Sequence, residues 1–326
     1  MERIEVKVVV IVAFEPDAGS VPGEARLWWQ REGLDSIVAV PGAYRPARIN
    51  DQGLLCLVCG VGAARAAASV MALGLNPRFD LSRTYFIVAG IAGIDPARGS
   101  LGSVVLPEFV VDGDLTHQLD AREIPAHWPD GFVAIGKSLP YQEPRSHRFN
   151  GDDGIVHRLD SELVAWAYEA TRELELLDTP ATGERRSQFF PAETAQRPPS
   201  VLLGDELAST IFWHGRAMSE RAARWVKYQT DDAASYSITA MEDAGILTAL
   251  QALSEAGRVD SKRVLVVRGV SNYDRQREGI SAAESLAETR VAAYSAYLPA
   301  LENVYRVGST LAHLLLKGHP LIAKAP

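Results

Sequence analysis

Apolar residues gather in four short runs, at residues 6–14, 54–59, 84–89 and 263–267, each followed by glycine or polar positions. Runs of this length without polar alternation suit strands covered on both faces of a sheet. Weaker runs at 103–111 and 201–203 predict further strands. Between these, apolar residues recur at helical spacing over 63–75, 161–176, 243–256 and 282–317, the last expected to break at Pro299. Asp160 stands where the 161–176 helix needs an N-cap. Strand, turn and helix in succession predict an α/β fold, with a mixed, mostly parallel central sheet flanked by helices. Residues 114–150 and 178–200 carry Pro, Gly, His and charge without periodicity. They read as two irregular insertions in a single domain spanning 1–326, and long loops of this kind are often lids or subunit contacts.

Composition narrows the class. At 326 residues, 47% hydrophobic and 23% charged, the chain has ample material for a core. A net charge of −8 argues against a nucleic-acid partner, because neutralising a phosphate backbone needs a cationic face. The longest apolar stretch, residues 8–14, is far short of the roughly 20 residues of a membrane-spanning helix. With no basic leader followed by an apolar segment, the sequence as it stands reads as soluble and cytoplasmic, or periplasmic if a leader has been removed. The two cysteines, Cys56 and Cys59, lack the further ligands of a zinc site and read as core residues of a buried strand. No metal or cofactor is expected.

Open α/β sheets bind ligands beyond the carboxyl ends of their strands, so the segments there are the candidate site. They are residues 13–17, Gly60-Val61-Gly62, the glycine turn Gly90-Ile91-Ala92-Gly93, residues 239–243 and residues 268–274. The first glycine pair lacks the third glycine of a dinucleotide fingerprint and reads as a tight strand-to-helix turn. The second could bring backbone N–H groups against a ligand.

In order, these segments resemble the nucleoside phosphorylase and nucleosidase superfamily, through residues 8–15, 59–68, 88–93 with 99–107, Met241-Glu242, and 267–272. Within it the chain looks most like the purine nucleoside permease family. The particular likenesses are Phe14-Glu15 with Pro22-Gly23-Glu24 and Trp28, Gly204-Asp205 followed by Phe212-Trp213-His214-Gly215, Glu242-Asp243, and Ser271-Asn272. The resemblance implies a purine nucleoside or free base as ligand. Met241 and Glu242 would hold the ribose: a carboxylate can accept both hydroxyls of a cis-diol, and a thioether offers an apolar wall. Asn272 matches the position where the superfamily places an aspartate that protonates the leaving purine. Its amide can hydrogen-bond the base but cannot hand over a proton, which points to 6-oxopurines or to binding that exceeds turnover. Asp274 is a fallback acid. Ser271, Phe212 and Trp213 are candidates for the base, the aromatic rings by stacking, and His214 for the sugar's 5′ side. Asp17, with Glu15 as the alternative, matches the strand-end acid that activates water.

Three functions follow. The first is nucleosidase cleavage of the N-glycosidic bond with water as nucleophile. The second is nucleoside binding that aids uptake without turnover, and the third is phosphorolysis. Ile91 stands where a phosphate site would carry a small hydroxyl, and no arginine closely follows the first strand, Arg26 being the nearest. Both features favour water over phosphate. The resemblance also implies a homo-oligomer.

Overall fold

The computed structural model describes residues 3–17, 21–143 and 154–318, with the backbone alone over 289–295. Along the chain run β1 (Ile4–Glu5), β2 (Val8–Val12), α1 (Arg26–Arg31), β3 (Ser36–Val38), β4 (Ala47–Ile49), β5 (Leu54–Val58), α2 (Ala63–Leu75), β6 (Phe79–Asp80) and β7 (Tyr85–Ile94). There follow β8 (Val104–Leu106), β9 (Phe109–Asp112), β10 (Thr116–Gln118), β11 (Phe132–Ala134), β12 (Val156–Arg158), α3 (Ser161–Thr171), α4 (Pro180–Ser187) and α5 (Glu193–Gln196). The rest comprises β13 (Val201–Leu203), β14 (Asp205–Ala208), α6 (Arg216–Gln229), β15 (Tyr236–Ala240), α7 (Asp243–Glu255), β16 (Val264–Tyr273) and α8 (Ala282–Leu316).

The main sheet is mixed. It runs β12-β9-β14-β15-β7-β2-β5-β4-β3, with β16 joined to β7 and β8, and β8 to β13. Its heart is parallel: β2 lies between β5 and β7, and β16 pairs with β7 along nearly its whole length. All five residues of β2 and of β5 are buried, as expected of strands covered on both faces. The covering layers can be read from alternation on β16. A side chain at Gly269 would strike the Ala300 backbone and Val304 of α8, whereas neighbouring Arg268 reaches Asp243 at the start of α7. So α8 lies on one face and α7, packed on α2, on the other.

Two expectations fail here for a common reason. Residues 90–93 form no turn but continue β7 through Ile94, and residues 268–273 extend β16 rather than looping. Parallel pairing between the two strands, from Val264↔Phe86 to Tyr273↔Ile94, supplies a ladder that overrides the local glycine signal. The last helix also continues through Pro299 instead of breaking. Ala300, Leu301, Val304 and Val307 beyond the proline are buried in the core, so packing outweighs one missing hydrogen bond. The 161–176 helix ends at Thr171, while its Asp160 cap accepts the Leu163 N–H at 2.9 Å. The weak 103–111 run divides into β8 and β9 around Pro107. The two insertions carry a hairpin, β10 with β11, and helices α4 and α5, although residues 144–150 lie outside the described residues.

Candidate functional site

The segment after β2 delivers a carboxylate, Glu24, that the sequence reading counted among the family likenesses but gave no role. After Val12 the chain loops out and returns, the Glu24 N–H bonding the Phe14 carbonyl at 2.9 Å. Gly23 permits the return, because a Cβ there would sit 2.6 Å from Glu15 Cα and from the Phe14 oxygen. Glu24 is 5% exposed and points back at the sheet. Its Oε2 accepts the Ala13 N–H at 2.6 Å and its Oε1 the Ile91 N–H at 2.8 Å. Burial, with the neighbouring Glu242 charge, lifts it to about 7 against the pull of Arg268.

Glu15 and Asp17, the expected water-activating acids, are engaged elsewhere. Glu15 accepts the Arg26 Nε–H at 2.9 Å and the Gly23 N–H at 3.2 Å, so it clamps the loop that presents Glu24. Asp17 is exposed, paired with Arg45, and held below the usual carboxylate range by that hydrogen bond. The signal for Glu24 was present: a lone acid after Pro22-Gly23, immediately before the short α1.

Glu242 arrives from the end of β15, with half-buried Met241 beside it. It is 4% exposed. The Gly62 N–H donates to its Oε1 at 3.0 Å, and Arg268 Nη2 lies 3.6 Å from its Oε2. The tight turn expected at Gly60-Val61-Gly62 is present, both glycines having positive φ (92° and 88°), and it aims that N–H at the carboxylate. Burial raises the Glu242 pKa, opposed by the Arg268 charge and the Gly62 bond. Asp243, fully buried, takes both Nε and Nη2 of Arg268 in a two-pronged pair, and Arg268 Nη1 donates to the Ile91 carbonyl at 3.3 Å. Gly90 makes room for all of this: a Cβ on it would fall on Arg268 Nη1 and 2.6 Å from Glu24 Oε1. Glu24, Glu242, Asp243 and Arg268 are thus one buried cluster at the carboxyl ends of β2 and β15 and across the middle of β7 and β16.

Asn272 lies across Gly93 from Thr239, its Nδ2 3.0 Å from the position of a Gly93 Cβ. It is half-buried; Nδ2 donates to the Tyr273 carbonyl at 3.1 Å and Oδ1 accepts the Ser271 hydroxyl at 3.0 Å. Ser271 also reaches the Ala92 carbonyl at 3.3 Å. One donor and acceptor capacity of the amide stay available to a ligand. Asp274 is buried and tied to Ser219 (2.7 Å) and the Tyr236 hydroxyl (2.6 Å), which makes it a core link rather than a free acid. Trp213 is placed in the core, its ring 6.3 Å from that of Tyr236, rather than on a pocket wall. Phe212 is 62% exposed, next to Thr210, whose hydroxyl meets the first N–H of α2. His214 bonds Ser285 at 3.0 Å and is held below the ordinary histidine value by burial and by Arg185. Cys56 and Cys59 are free and buried. No His, Cys, Asp or Glu group among the described residues is arranged to hold a metal, and no helix among them is long and apolar enough to cross a membrane.

Against solved structures, the fold is similar to that of a 5′-methylthioadenosine/S-adenosylhomocysteine nucleosidase of Helicobacter pylori, with TM-score 0.56 and 14% identity, covering 96% of this chain and 100% of that one. It is likewise similar to futalosine hydrolase of Helicobacter pylori, with TM-score 0.57 and 13% identity over 94% and 97% of the two chains. These likenesses show a nucleosidase-type fold. Among sequences, a probable purine nucleoside permease of Schizosaccharomyces pombe is 30% identical over 85% of this chain and 80% of its own length. A purine nucleoside permease of Candida albicans is 27% identical over 88% and 71%. The model of the purine nucleoside permease family matches residues 5–320, and the chain belongs to that family.

Proposed function

We propose that the protein binds purine nucleosides at the Glu24–Glu242–Arg268 cluster and hydrolyses their N-glycosidic bond. The observation that carries this reading is Glu24: a buried carboxyl poised near neutrality, fixed by two backbone N–H groups, beside the carboxylate suited to a ribose diol. A base with a pKa near the working pH is the effective one for drawing a proton from water. Glu242 accepts the 2′ and 3′ hydroxyls, and its charge, with that of Glu24, favours the cationic ribosyl group that forms as the bond to the base breaks. Water adds to C1′ and passes a proton to Glu24. The purine leaves with the bonding electron pair, held by Asn272, and takes its proton from solvent. Phe212 and Ser271 border the base. Water is the nucleophile because Ile91 offers no hydroxyl and the one arginine in the cluster, Arg268, is saturated by carboxylates.

The test is chromatographic: release of free base from inosine, guanosine and adenosine, with and without phosphate. Release without phosphate supports hydrolysis, Glu24→Gln is expected to stop it while retaining binding, and Glu242→Ala to abolish binding. Release only with phosphate would overturn the choice of nucleophile. A second reading, binding without turnover, is favoured by Asn272, which cannot protonate the leaving base. Calorimetric binding of the same nucleosides with no base released would establish it instead.

A further inference from the structure

Glu206 is a buried carboxyl that faces the cluster and has no part in the reaction above. It lies mid-strand in β14, at 0% exposure, and neither carboxyl oxygen has a hydrogen-bond donor among the described residues. Its strand neighbours in the sheet meet it with Val110 of β9 and Ile238 of β15. The charged groups that face it are Asp243 and Glu242, at and before the start of α7, and Arg268 of β16. Two carboxyls, Glu206 and Asp243, therefore confront each other in a fully buried site, and both accept only when ionised. Asp243 already carries the bidentate bond of Arg268, so it is the member that keeps its charge. A buried carboxylate with no donor is not tenable, and a proton shared between two facing carboxyls resolves the conflict.

We propose that Glu206 is a positioning residue: held as the neutral acid, it donates its proton in a hydrogen bond to Asp243, which locks Arg268 and through it sets Glu242 for the ribose. Burial lifts its titration well above the ordinary carboxylate range, and the negative Asp243 and Glu242 add to the lift. The arrangement also sets the charge of the site. With Glu206 neutral and Glu24 ionised as a base must be, Glu24, Asp243 and Glu242 against Arg268 leave two net negative charges, suited to a ribosyl cation. The link to Glu242 rests on the nucleoside reading; the neutral state of Glu206 does not.

Two measurements separate these. Thermal melting without ligand, from about pH 5 to about pH 9, compares the wild type with Glu206→Gln, a neutral isostere. A raised pKa in the folded state stabilises below the unfolded value and loses that contribution as pH rises, so the melting-temperature difference, variant minus wild type, is expected to grow with pH. A difference that stays flat overturns the neutral acid. The second measurement is calorimetry with inosine, in a Glu24→Gln background to prevent turnover. Glu206→Gln, which keeps a donor to Asp243, is expected to bind within about threefold of its parent, and Glu206→Leu about tenfold more weakly, the loss of a hydrogen bond to a charged group. Glutamine as weak as leucine, or leucine as strong as glutamine, overturns the positioning role. If no form including the wild type binds inosine while the melting difference still grows with pH, the nucleoside reading and the positioning role fall and the neutral acid stands.

Discussion

Gly90 shows how much one absent methyl group decides. Glu24 and Arg268 both occupy the space its side chain would take, so Gly90→Ala must push one or both away from the Ile91 backbone. Overpacking of this kind costs about 1–3 kcal/mol. The expected result is a modestly lower melting temperature together with loss of base release larger than the stability change accounts for, read by the chromatographic assay. Glu24 itself carries a pH signature. Its carboxyl, lifted to about 7, must be ionised to take a proton from water, so kcat/KM is expected to rise with pH through that region. A profile flat across it would remove Glu24 from the role of base.

At the level of elements, the start of α7 matters most, since Glu242 and Asp243 are both set by where that helix begins. The helix rests against α2 through Gly245, whose Cβ would fall on the Ala63 carbonyl oxygen and lie 2.8 Å from the Ala63 Cα. Glycine inside a helix is unfavourable by about 1 kcal/mol relative to alanine, yet here the close approach requires it. Gly245→Ala is accordingly expected to destabilise by about 1–3 kcal/mol, not to stabilise. By moving α7 away from α2 it should also stretch the Gly62 bond to Glu242 and weaken nucleoside affinity. Denaturant unfolding and calorimetry on the one variant check both halves. The loop from β2 to α1 works in a comparable way: the Glu15–Arg26 pair closes it, and Glu24 takes its position from that closure.

For the molecule as a whole, buried carboxyls govern the dependence of stability on pH. Glu24 is raised from 4.5 to about 7, and Asp274 from 3.8 to about 6, both chiefly by burial. A raised folded-state value means the folded form holds its proton longer than the unfolded chain does. The stabilisation is complete below the unfolded values and lost as pH rises through about 6 and 7, on the order of 3 kcal/mol per group. Melting temperature is expected to fall from about pH 5 to about pH 8, and Glu24→Gln to flatten the upper part of that fall. At the rim of the cluster, Tyr44, Val61, Ile211 and Phe212 are large apolar side chains left exposed. Apolar surface beside a buried polar site suits a subunit contact, so a homo-oligomer is expected in solution. Sedimentation at micromolar concentration giving a monomer would contradict it.

The sequence by itself determined the α/β class, the buried strands β2 and β5, the turn at Gly60-Val61-Gly62 and the helices α2 and α7, because each rests on local periodicity or on glycine conformation. It also named Met241-Glu242 and Ser271-Asn272 as candidate ligand segments. Tertiary structure alone decided that residues 90–93 and 268–273 are strand, since only the pairing of β7 with β16 supplies the ladder that outweighs their glycines. It alone set Glu15 as a clamp on the loop and carried Glu24 to the sheet, the placement on which the proposed base rests. And it alone brought Glu206, Asp243 and Arg268 together: ionisable groups tens of residues apart in sequence, whose meeting in the buried interior no periodicity encodes.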